Sequence, residues 1–186
     1  MSAPLIVVSG PSGVGKSTVV AEALRMNPDI WLSVSATTRP PRPGEVEGEN
    51  YFFCDDETFA AMREAGELLE WAQFAGNSYG TPAGPVAASR AAGRPVLLEI
   101  EVQGARQVRK AVPDATLVFL APPSEAVLRE RLIRRATEDP AALERRLSAA
   151  HEELQAAGEF DHVLVNADVS QCARALLDSA GLAAAS

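Results

Sequence analysis

The sequence predicts an α/β fold: a parallel sheet covered by helices and interrupted by two insertions. Three observations carry this. Four apolar residues at 5–8 run straight into a glycine-rich turn and then an apolar helical stretch. Two further β-prone runs, VLLEI at 96–100 and ATLVFL at 115–120, flank a helical stretch at 103–111, which makes a βαβ unit and therefore parallel pairing. Two segments break the alternation, a mixed one at 35–90 and a helical, arginine-rich one at 124–157. The expected organisation is a core over 1–34, 91–123 and 158–186, with the first insertion over 35–90 and the second, a lid, over 124–157.

The turn after the first strand, GPSGVGKST at 10–18, fits the phosphate-loop pattern G-x-x-x-x-G-K-S through Gly10, Gly15, Lys16 and Ser17. Glycines let successive backbone N–H groups turn inward around an anion, and the N-terminus of the following helix, 19–26, adds its positive dipole end. Pro11, Ser12, Gly13, Val14 and Thr18 complete the cradle. Lys16 is placed to reach the β- and γ-phosphates of a nucleoside triphosphate, and the Ser17 hydroxyl to ligate Mg²⁺. The chain has two lysines against fifteen arginines, and one of the two stands in this turn.

The remaining elements follow in order. Asn27-Pro28 closes the first helix, and IWLSVS at 30–35 reads as a second strand. Residues 36–50, with three prolines, two glycines and few apolar side chains, read as loop. A short strand at 51–54 precedes a helix capped by Asp55 or Asp56 and ending at Gly66; residues 68–74 form another strand, 76–84 a Gly/Pro-rich turn, and a helix runs from Pro85 to about Gly93. Beyond the βαβ unit, Ser124 caps a helix through Arg135, Asp139-Pro140 opens the next with proline at its first position, and a short strand at 163–165 leads to a closing helix at 170–182. The alanine-rich end is expected to fray.

Composition sets bounds on function. The 186 residues suffice for one real hydrophobic core. A net charge of −8 and a pI near 4.8 argue against a nucleic-acid surface, which needs a basic face. Positive charge is nonetheless clustered, which suits a small phosphorylated ligand. Cys54 and Cys172 lie far apart and in no C-x-x-C pair, which favours reduced thiols and the cytoplasm. No run approaches the roughly 20 apolar residues of a membrane span, and the N-terminal apolar run is too short for a signal peptide. His151 and His162 have no metal-spaced partner. A phosphate-loop core with one insertion for an acceptor and one that closes over the donor is the organisation of a nucleotide or small-molecule kinase.

A second signature sharpens this. SATTRPPRPGEVEGENYFF from Ser35, LLEWAQFAGNSYGTP from Leu68, LEIEVQG from Leu98 and FDHVLVNAD from Phe160, taken in order with the arginine-rich lid, resemble guanylate kinase over nearly the whole chain. The resemblance implies ATP and GMP (with dGMP) as substrates, Mg²⁺ as cofactor, and a GMP site made of Ser35, Arg39, Arg42, Tyr51, Glu70, Tyr79, Thr81 and Glu101. Arg39, Arg42, Tyr51 and Tyr79 would clamp the GMP phosphate, since guanidinium forks match phosphate oxygens and tyrosine hydroxyls donate without adding charge. Glu70 would read guanine by accepting from N1–H and the N2 amino group, where adenine presents a lone pair. Ser35 and Thr81 would donate to guanine O6.

In the lid, Arg129, Arg131, Arg134, Arg135, Arg145 and Arg146 place six arginines in eighteen residues. Arg131 and Arg135 stand i, i+4 on one helix face. The resemblance puts Arg135 and Arg146 over the transferring phosphate beside the catalytic Lys16 and Arg39, Arg131 near the donor, and Asn166 against the ATP base or ribose. The chain departs from the family pattern where Glu99 and Glu101 replace aspartate and Ala136 replaces glycine. The longer side chains push each carboxylate outward. Two other readings stay open: a kinase for another phosphorylated small molecule, and a non-catalytic relative of the same fold that binds peptides. An intact phosphate loop and lid arginines argue against the second. Monomer and homo-oligomer are both compatible with these residues.

Overall fold

The strand β1 (Leu5–Ser9) is buried along its whole length, so both of its faces need apolar cover. The computed structural model describes residues 2–74, 76–135 and 140–182, the side chains of 134, 135, 140–143 and 145 excepted. In it β1 is the middle strand of a five-stranded sheet with β2 (Trp31–Leu32), β7 (Val96–Glu99), β8 (Thr116–Ala121) and β9 (His162–Val165), in the order β2-β7-β1-β8-β9. Every pairing in it is parallel. Side chains alternate across it. Ile6 and Val8 face α1 (Lys16–Met26) and α7 (Val169–Ser179), packing with Val20, Ala23, Leu176 and Leu177. Leu5 and Val7 face the other way, toward Val86 of α3 (Ala83–Ala91) and Ala105 and Val108 of α4 (Val102–Ala111). This is the parallel α/β core that the sequence predicts.

The first insertion builds its own sheet, β4-β3-β6-β5, from β3 (Ser35–Thr37), β4 (Tyr51–Phe53), β5 (Leu68–Phe74) and β6 (Asn77–Pro82). It is mixed: β3 runs parallel to β4, while β3–β6 and β5–β6 are antiparallel. Helix α2 (Asp56–Glu64) covers it through buried Phe59, and Asp55 is its cap, accepting from Thr58 N at 2.7 Å. In the second insertion, α5 (Glu125–Arg135) and α6 (Pro140–Gln155) meet through Leu128, Leu132 and Ala150. A 3-10 turn, Ala156–Glu159, leads from α6 to β9.

Several expectations need correction. The single strand expected at 30–35 is two strands in different sheets: the backbone follows β7 as far as Ser33 N, which donates to Leu97 O, then leaves to pair with β4 and β6. The loop expected from 36 therefore begins after Thr37. The turn expected at 76–84 is the strand β6. Gly76, at φ +80°, makes the bend in the β5–β6 connection, while Gly80 lies inside the strand, where a Cβ would stand 2.9 Å from the Glu70 carbonyl. Its glycine answers a close approach, not a turn. Helix α1 begins at Lys16, so Ser17 and Thr18 sit in its first turn, and α3 begins at Ala83 with Pro85 in its own. Asp168 caps α7 by accepting from Gln171 N at 2.8 Å, one residue earlier than expected. The expectations on Ala136, Asp139 and the alanine-rich end fall outside the described residues.

Candidate active site

The end of β1 delivers the glycine-rich loop. Gly10 (φ +148°) packs so closely on β8 that a Cβ would stand 2.4 Å from the Leu120 carbonyl oxygen, a backbone atom with nowhere to go. Gly15, at φ +96°, turns the chain into α1. The parallel register that sets Val8 beside Glu99 brings the end of β7 against this loop. Glu99 accepts from the Ser17 hydroxyl at 2.7 Å, and Glu101 lies 3.8 Å from the Lys16 ammonium, which itself donates to Gly10 O at 2.5 Å. The longer glutamates therefore reach the loop from the positions where the family pattern has aspartate.

Two residues assigned to the donor hold the loop from outside. Arg131 and Asn166 both donate to the Val14 carbonyl, each at 2.8 Å. A third contact comes from α6: Glu153 accepts from Ser12 N–H at 3.2 Å. Burial, and then the negative charge of Glu101, hold the Glu153 carboxyl above the usual range. The resulting cavity, about 230 Å³, is lined by Pro11, Ser12, Gly13, Gly15, Lys16, Ser17 and Thr18, with Phe74, Glu99, Glu101 and Glu153 facing them.

A second cavity of about 260 Å³ adjoins it, lined by Ser35, Tyr51, Glu70, Ala72, Tyr79 and Ile100 and sharing Phe74, Glu99 and Glu101 with the first. Glu70 is 4% exposed, on β5, and accepts the Thr81 hydroxyl at 2.6 Å from the neighbouring β6. Burial raises its carboxyl above the ordinary glutamate range, more than the Thr81 bond lowers it. Thr81 itself is fully buried behind Glu70 rather than on the cavity wall, its hydroxyl proton already committed.

Three of the four residues expected to clamp a phosphate lie together. Tyr51 and Tyr79 meet edge to face with centroids 6.1 Å apart, and the Arg39 guanidinium lies 5.3 Å over the Tyr51 ring. Arg39 is held by Glu45 at 2.7 Å and donates to Pro40 O, while the Arg42 backbone N–H donates to the other oxygen of Glu45 and its side chain is exposed. Arg146 is exposed on α6, and Arg135 ends α5 with its side chain outside the described residues. Sequence reasoning missed Glu45, Phe74 and Glu153. For Glu153 a signal existed: it lies seven residues after Arg146, two turns along one helix face.

Two cavities that share a wall, one of them floored by a phosphate loop on a parallel sheet, define the class: a phosphate-loop kinase, built to hold donor and acceptor side by side. Comparison with known proteins narrows it. Residues 2–179 match the family model described as guanylate kinase. The guanylate kinase of Streptomyces coelicolor is 60% identical over 173 residues, covering 93% of this chain and 88% of its own length. That of Thermobifida fusca is 59% identical over the same shares. The crystal structure of guanylate kinase from Anaplasma phagocytophilum superposes with a TM-score of 0.77 at 32% identity, covering 95% of this chain and 84% of that one. The chain belongs to the guanylate kinase family.

Proposed function

We propose that this protein transfers the γ-phosphoryl group of ATP to GMP, and to dGMP, giving ADP and GDP or dGDP. The observation that carries the reading is the buried Glu70 carboxylate in a cavity that shares Phe74, Glu99 and Glu101 with the phosphate-loop cavity. Guanine docked on Glu70 through N1–H and the N2 amino group leaves its phosphate directed toward the shared wall, with Ser35 at the base edge and Tyr51, Tyr79, Arg39 and Arg42 at the phosphate. The GMP phosphate is already mostly dianionic at neutral pH, its second pKa being about 6, so the attack needs no general base. Lys16 and the lid arginines Arg135 and Arg146 offset charge that grows on the transferring group, and closure of the lid and insertion excludes water.

Mg²⁺ suits this site, because Ser17 and the Glu99 carboxylate beside it are hard oxygen donors. Ser17 would hold the ion and Glu99 would orient the Ser17 hydroxyl. When bound, Mg²⁺ neutralises part of the triphosphate charge. The division into core, acceptor insertion (35–90) and lid (124–157) is supported by the helix pair of the lid and by the separate sheet of the insertion, which ends at Pro82; α3, inside the expected insertion bounds, packs through Val86 on the core. A cytoplasmic setting is supported by two cysteines without a disulfide.

Coupled ADP release measured with GMP, dGMP, AMP, UMP and a sugar phosphate tests the reading. Turnover confined to GMP and dGMP is expected. A flat response across all acceptors, or turnover led by the sugar phosphate, overturns it.

A further inference from the structure

Strand β5, which carries Glu70, is an edge strand, and its free edge faces α4. There the next residue, Trp71, presents both backbone groups to one side chain. The Gln107 carboxamide accepts from Trp71 N–H at 3.2 Å and donates to Trp71 O at 2.7 Å. These are the two bonds a neighbouring strand would make, supplied by a helix side chain. One turn earlier on the same face of α4 stands Gly104, where a Cβ would lie 2.3 Å from Glu70 Oε2 and 3.0 Å from its Cδ. Helix α4 thus fixes the height of β5 with Gln107 and leaves room for the carboxylate at Gly104. Arg63 over the Trp71 ring, 5.0 Å from its centroid, holds the strand from another direction.

The geometry points to Gln107 as a positioning residue for base recognition: by pairing with the Trp71 backbone it sets where the Glu70 carboxylate meets the acceptor. The inference rests on the reading of Glu70 as the guanine contact. Loss of the pairing leaves two backbone groups of β5 without their partner and lets the strand shift by fractions of an ångström, enough to weaken hydrogen bonds that depend on alignment.

The test compares Gln107→Leu, Glu70→Gln and the double variant with the parent enzyme, using kcat and KM for GMP, AMP and ATP together with thermal melting. Gln107→Leu is expected to raise KM for GMP tenfold or more and to shrink the GMP-to-AMP ratio of kcat/KM by a similar factor, with KM for ATP within twofold of the parent. In the Glu70→Gln background the same substitution should add less than threefold, because it acts through the group already altered. If Gln107→Leu does not fold, Gln107→Glu keeps the shape and the acceptor while removing the donor, and the same shifts are expected. Gly104→Ala, which displaces the carboxylate directly, should move KM for GMP in the same direction. A folded Gln107 variant with parental KM and discrimination for GMP overturns the proposal, as does equal damage to ATP and GMP affinity. Should Glu70→Gln keep full discrimination, the base-reading assignment falls and the proposal with it. Loss in Glu70→Gln beside parental behaviour in the Gln107 variants rejects the positioning role alone.

Discussion

Thr81 donates its hydroxyl proton to Glu70 at 2.6 Å, and the pair is buried at the back of the acceptor cavity. The bond fixes one carboxylate oxygen and leaves the group aimed at whatever enters. Removal of the donor by Thr81→Val should raise KM for GMP about tenfold, the scale of one hydrogen bond to a charged group, with KM for ATP unchanged. Steady-state kinetics with each substrate varied in turn checks this.

Glu70 also predicts a pH dependence. Burial raises its carboxyl above the ordinary range, with Thr81 opposing and the charge of Glu101 adding to the rise. A raised folded value means the ligand-free protein is stabilised while Glu70 is protonated and loses that contribution as pH climbs through the raised value. Guanine N–H donors favour the carboxylate, so GMP binding expels a proton in that window. KM for GMP should fall as pH rises through it, while the Glu70→Gln variant keeps only the dependence set by the GMP phosphate, whose second pKa is about 6.

Lys16 sits 2.5 Å from Gly10 O, at the mouth of the loop. Lys16→Ala should lower kcat by roughly 10²- to 10³-fold, the loss typical of one preorganised charge-stabilising donor. Rapid-quench measurement of the transfer step, at saturating ATP and GMP, is the check; a rate within a few-fold of the parent would remove Lys16 from the mechanism.

Glu153 accepts from the Ser12 N–H of the loop proposed to hold the phosphates. Glu153→Ala should tighten binding of a non-hydrolysable ATP analogue by roughly 3- to 10-fold, the worth of one displaced hydrogen bond. Calorimetry reads it directly. Unchanged or weaker affinity would show that the contact does not compete with the nucleotide.

Phe119 is fully buried on β8 and meets Phe160 edge to face at 5.2 Å. Phe119→Ala should destabilise the protein by about 3–5 kcal/mol through the cavity it leaves, read by chemical denaturation.

Much of the fold could be read from the residues, for reasons particular to them. Buried parallel strands are continuous apolar runs, so LIVV, VLLE and TLVFLA announce themselves. The phosphate loop is local and keeps its logic in nine residues. The insertion was harder, because its sheet rests on pairings between distant segments and on glycines that serve different ends: Gly76 makes a bend, Gly80 a close approach. Composition gives both the same appearance. Glu70 stands out only through its surrounding motif, since a lone glutamate at a strand is ordinarily a surface group. Glu45 and Glu153 were missed because a carboxylate carries no sign in sequence of the donor it will face.

Those two acids share a trait with Glu101. Arg39 is met by Glu45, Lys16 by Glu101 and the Ser12 N–H by Glu153. On the proposed reading, nucleotide entry would exchange anions rather than accumulate them, each phosphate taking the place of a carboxylate beside the same cation or dipole. A chain with a net charge of −8 can in this way hold two polyanions without a strongly basic cleft between turnovers.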